Sequence, residues 1–85
     1  MPLFVIERNF ADRLEMSNND ADEIRLVNED VGVSWLFSFL SADKKKTYCL
    51  YEAPSAEAIR EAARRVGAPA DVITEVSELR PEQFV

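Results

Sequence analysis

The stretch VSWLFSFLSADKKKTYCLYEA, residues 33–53, decides the fold of this chain. Val33 to Ser41 and Thr47 to Ala53 are dense in aromatic and β-favouring side chains, and the five residues Ala42-Asp43-Lys44-Lys45-Lys46 separate them. Two such runs joined by a short charged connection read as an antiparallel hairpin with a longer loop. Pro54-Ser55 then opens a helix. Ser55 is its cap, Glu57 lies in the first turn, and Ile59, Ala62, Ala63 and Val66 form an apolar stripe at helical spacing. Arg64 and Arg65 complement the negative end of the dipole, Gly67 ends the helix and Pro69 prevents its continuation.

Upstream, Leu3 to Arg8 (LFVIER) is apolar, β-rich and ends in a charged pair, which reads as a strand. Phe10 to Met16 shows no period and is expected to be a connecting loop that tucks Leu14 or Met16 inward. Ser17-Asn18-Asn19-Asp20 is a cluster of capping residues, so a helix is expected from about Asn19 to Val31, stopped by Gly32. Its stripe is thin: Ala21, Ile24, Val27 or Asn28, and Val31. Glu29 and Asp30 sit at the negative end of that helix, which costs roughly a few tenths of a kcal/mol and calls for a basic neighbour. Downstream, Val72 to Leu79 alternates as a last strand that Pro81 ends. The order β-α-β-β-α-β makes residues 1–85 a single α+β domain. The expected architecture is a ferredoxin-like sandwich, a four-stranded antiparallel sheet of order 4-1-3-2 with both helices on one face.

Composition bounds the function. Hydrophobic residues are 47% and charged residues 31% of the chain, as in globular proteins. The net charge of −6 argues against an extended phosphate-binding surface, so no nucleic-acid partner is expected. The longest apolar run is four residues, too short for a membrane span, and the start Met-Pro-Leu-Phe lacks the basic stretch of a secretory signal. One cysteine allows no intrachain disulfide, which fits a reducing cytoplasm. The absence of histidine removes Ser-His and Cys-His catalysis and the commonest transition-metal ligand. Gly32 and Gly67 both fit helix ends, leaving no phosphate loop. Lys44-Lys45-Lys46 has no interleaved aromatics and reads as a charged hairpin tip that discourages edge pairing.

Alternation along the strands then separates two faces. A register drawn from the hairpin loop pairs Phe39 with Cys49, Phe37 with Tyr51 and Trp35 with Ala53. A similar one for the first and third strands pairs Glu7 with Cys49 and Leu3 with Ala53. One face then carries Phe4, Ile6, Leu36, Leu40, Tyr48 and Leu50. The other carries Leu3, Val5, Glu7, Trp35, Phe37, Phe39, Cys49 and Tyr51. The helices are assigned to the aliphatic face, the reverse assignment being the alternative. The aromatic face far exceeds what a monomer exposes, and a second copy packing sheet to sheet would cover it. On it Glu7, Cys49 and Tyr51 form a polar island walled by Trp35 and Phe37, and Glu7 with Cys49 is the candidate pair for a divalent metal or a proton relay. The alternative is an inert buried Cys49, with Glu7 paired to an arginine across the dimer.

Those residues also carry a resemblance. FVIER near the start, VSWLFSFLSADKKKTYCLYEAPSAEAIREAARRVGAPAD through the middle and ITEV near the end resemble a small bacterial family of ferredoxin-like proteins of unknown function, labelled nickel-binding from one actinobacterial member. The resemblance implies a cytoplasmic homodimer. The family's second strand reads W-hydrophobic-H-S-aromatic, and here the histidine position is Phe37, so a nickel site in this chain would rest on Glu7 and Cys49. The reading that follows is a dimeric binding module with a small ligand or nickel in the inter-sheet cleft near Glu7, Trp35, Phe37, Cys49 and Tyr51. Its rivals are a cofactor-independent enzyme of the dimeric α+β type, with isomerase or oxygenase chemistry, and a protein-interaction module.

Overall fold

The computed structural model describes residues 1–10 and 18–84. The expected loop, with Leu14 and Met16, falls almost wholly outside the described residues. Six main elements follow one another: β1 (Leu3–Asn9), α1 (Asn18–Val31), β2 (Ser34–Leu40), β3 (Lys46–Glu52), α2 (Ala56–Val66) and β4 (Val72–Val76), with a short 3₁₀ turn over Pro81–Phe84. The sheet is antiparallel throughout in the order β2-β3-β1-β4, the expected arrangement read from the opposite edge. The last strand is shorter than its alternation indicates and stops at Val76.

Local signals explain the element ends. The Ser55 hydroxyl accepts from the Ala58 amide at 3.2 Å, and Gly67 closes α2 at φ +70°, a left-handed conformation that only glycine adopts freely. The hairpin tip is built around Asp43, whose Oδ1 accepts from the Ser41 hydroxyl at 2.7 Å and the Lys45 amide at 3.0 Å. Those two bonds, the hydroxyl first, hold its carboxyl below the ordinary range. The basic neighbours that the end of α1 requires are also present. Arg65 of α2 reaches Asp30, and Arg25, one turn back on α1, meets Glu29 at 3.0 Å.

Both helices cover one face of the sheet. Ile59 and Ala62 of α2 are buried with Phe4, Ile6, Cys49 and Tyr51, and Val27 and Val31 of α1 pack against the same cluster. The opposite face carries Leu3, Val5 and Glu7 of β1, Phe37 and Phe39 of β2, and Tyr48 and Leu50 of β3. No helix among the described residues is long and apolar enough to cross a membrane.

The strand faces correct the expected register. Cys49 pairs with Ile6, not Glu7, and Glu7 pairs with Tyr48. Leu3 lies opposite Glu52 rather than Ala53. In the hairpin, Phe39 pairs with Tyr48, Phe37 with Leu50 and Trp35 with Tyr51, around an irregularity between Trp35 and Phe37. Side chains alternate with period two, so a slip of one residue moves a whole strand's set to the other face. The slip turned β3 over: Cys49 and Tyr51 lie under the helices, and Tyr48 and Leu50 lie outside. The bulge splits β2, leaving Trp35 inside and Phe37 and Phe39 outside.

Candidate functional site

The register breaks up the expected polar island. Glu7 and Phe37 stand on the uncovered face, while Trp35, Cys49 and Tyr51 stand on the covered one. Glu7 is instead paired with Lys46 at 3.0 Å, both side chains about one-third exposed. The Lys46 ammonium also lies 5.0 Å from the centroid of the Tyr48 ring. Glu7 first, and Tyr48 after it, hold that ammonium above its ordinary value. Glu7 is therefore a structural partner within its own chain. Cys49 is buried, and its thiol lies 3.5 Å from the Thr47 hydroxyl.

The residues that converge do so between the sheet and the helices, around a cavity of about 440 Å³. This lies within the range of small-molecule sites, roughly 300–1,000 Å³. β1 contributes Arg8, β2 contributes Trp35 and Ser38, and β3 contributes Cys49 and Tyr51. The helices supply the apolar wall, chiefly Ile24 of α1 with Ile59, Ala62 and Ala63 of α2, and Asp20 and Glu23 of α1 add two acids to the lining. Three of the five expected site residues thus share this cavity, on the side of the sheet opposite to the one expected.

Arg8 is the residue that pattern reading missed. It continues the Phe4, Ile6 phase of β1 and is only 7% exposed. Its Nη1 donates to the Pro69 carbonyl at 2.5 Å, just past the C-terminal end of α2, where the helix dipole favours a cation. Its Nη2 lies 3.5 Å from the Tyr51 hydroxyl, and the guanidinium carbon is 5.8 Å from the Tyr51 ring centroid. Burial pushes the Tyr51 phenol above its ordinary value, opposed by Arg8 and by the side chain of Asn28. Trp35 donates its indole N–H to the Ser38 hydroxyl at 2.8 Å, which fixes the ring. The available signal was the alternation itself, since a charged residue two places after Ile6 must either face the core or break the strand.

Among the described residues the donor set does not fit a nickel site. The chain has no histidine, its single thiol is on the covered face, and Glu7 is on the other. No group of three or more Cys, Asp and Glu side chains able to hold a metal occurs among the described residues.

Two comparisons bear on the chain. The family model described as nickel responsive protein SCO4226-like matches residues 4–76. Among solved structures, the crystal structure of SCO4226 from Streptomyces coelicolor A3(2) superposes with a TM-score of 0.70. It is 23% identical in sequence, and the match covers 92% of this chain and 99% of that one. Likeness at that identity speaks for the fold alone. No curated protein sequence matches.

Proposed function

We propose, for a chain that belongs to the nickel-responsive SCO4226-like family, a homodimeric binding module that holds a small organic ligand between its helices and its sheet. The observation that carries this reading is the cavity of about 440 Å³ beneath the helices. Small domains pack to the density of organic crystals, and a space of this size with convergent polar groups is kept for an occupant. Arg8, Tyr51 and Trp35 orient the ligand, and Ile59, Ala62 and Ala63 cover its apolar part.

The dimer rests on the opposite face. Phe37, Phe39 and Tyr48 are 51%, 67% and 39% exposed, and the Tyr48 ring lies beside the Lys46–Glu7 pair. Self-association through this sheet covers the aromatic rings of both copies at once. Among the described residues no donor set seats nickel, so the organic ligand is the reading that the cavity supports.

Native mass spectrometry of untagged protein, prepared without chelator or affinity metal, tests both parts. The expected result is a dimer that retains a small organic mass. A monomer at micromolar concentration overturns the dimer. A dimer carrying nickel and no organic mass overturns the ligand assignment.

A further inference from the structure

Arg8 says more about the occupant than the cavity's size does. A guanidinium presents five N–H donors in a fixed fork, and here one goes to Pro69 and one, over a long distance, to Tyr51. Every fully buried side-chain nitrogen or oxygen among the described residues has a partner, and Arg8 lines the cavity with N–H groups to spare. Arg25, Arg64 and Arg65 each have a carboxylate within ion-pair distance. Among the described residues Arg8 has none, although it is the most deeply buried cation. A buried charge without a counter-charge is costly, and an anion brought in by a ligand removes that cost.

We propose that this cavity takes a small monocarboxylate with an apolar body, the carboxylate lying on the Arg8 fork and the body against Ile24, Ile59, Ala62 and Ala63. This names the ligand class of the binding module proposed above and rests on that reading. The planar guanidinium matches a carboxylate through two parallel hydrogen bonds. The Tyr51 hydroxyl, which lies beside the Arg8 guanidinium, has its own proton to donate to the same anion. A dry apolar cavity of about 150 Å³ holds benzene, so the larger space here takes a ring and its carboxyl group. Asp20 and Glu23 in the lining and the net charge of −6 select against a phosphate, which brings a second negative charge.

The test is an NMR titration of the ¹⁵N-labelled wild-type protein with benzoate, benzamide and inorganic phosphate. Benzoate is expected to shift the Arg8 Nε–H and the Ala62 and Ala63 amides saturably. Benzamide should bind on the order of tenfold to a hundredfold more weakly, the worth of hydrogen bonds to a charged group, and phosphate should move none of these signals. Equal affinity for benzoate and benzamide overturns the carboxylate assignment and leaves an apolar binding cavity. Benzoate shifts confined to the Lys44–Lys46 tip overturn it as well. If none of the three compounds moves a cavity signal while the native protein retains an organic mass, the carboxylate assignment falls and the binding reading stands. Arg8→Lys, which keeps the charge and loses the fork, should weaken benzoate by about tenfold. The comparison within the wild type decides the matter even if that variant does not fold.

Discussion

Replacing Phe39 with aspartate should turn the proposed homodimer into a folded monomer. Phe39 stands on the uncovered face and is 67% exposed, and its ring contact within the chain is edge to face with Phe37 at 5.6 Å. A phenylalanine offers roughly 200 Å², so about 130 Å² of its surface lies bare on each subunit. At about 25 cal/mol/Å², covering that area is worth about 3 kcal/mol per copy. A two-fold interface counts it twice, which makes about 6 kcal/mol, or roughly four powers of ten in the dimer dissociation constant. This is an upper bound, because it assumes complete burial of the ring, but the two introduced carboxylates work in the same direction. Sedimentation velocity at micromolar concentration reads the outcome, with far-UV circular dichroism confirming that the subunit stays folded. A wild type that sediments as a monomer would show that this face meets no second copy. A Phe39→Asp variant that stays dimeric would show that the subunits meet through other elements.

Two further predictions concern stability. Ile59 is 1% exposed where α2 meets the sheet, so Ile59→Ala should cost about 2–5 kcal/mol in urea unfolding, whereas Ile24→Ala, at a partly exposed position lining the cavity, should cost clearly less. Equal losses would mean that the core is not centred on α2. The pH dependence has two limbs of opposite origin. Arg64 first, and Arg65 with it, hold the Glu61 carboxyl down to about 2, below its ordinary 4.5, so its contribution is present above pH 4.5 and is lost as the pH falls toward 2. Tyr51 is raised by burial, so its contribution is present below pH 10 and is lost as the pH rises beyond that. Glu61→Gln should flatten the acid limb in low salt, and because the group is exposed, high salt should erase the difference. Tyr51→Phe should flatten the alkaline limb and leave the acid one alone. An acid limb unchanged by Glu61→Gln would refute the Arg64 and Arg65 pairing.

The candidate site was only partly legible in the sequence, and the reasons are specific. Trp35, Cys49 and Tyr51 were singled out and do share a cavity. Pattern alone groups Glu7 and Phe37 with them by setting Glu7 opposite Cys49, where the structure has Ile6. Nothing local distinguishes the two registers. Both faces of these strands are apolar, so the usual cue of one wet and one dry face is missing. Leu36 falls at the bulge and hides the change of phase between Trp35 and Phe37. Arg8 stands in the charged end of its strand, but its phase puts it with Phe4 and Ile6.

What the sequence determined by itself is the order of the elements and, β4 apart, their approximate bounds, with the family that they belong to. Those depend on signals between near neighbours: the Ser55 cap, the glycines that end both helices, the charged hairpin tip and the helical stripe of α2. Short-range signals survive without knowledge of the fold, because capping and turn formation involve residues a few positions apart. Only the tertiary structure decided which face each strand presents, and with it that Arg8 and Tyr51 look into the helix-covered cavity while Glu7 answers Lys46 outside. For β1 and β3 that choice depends on pairing between residues 37 to 49 positions apart, and a single step in their register exchanges the two faces.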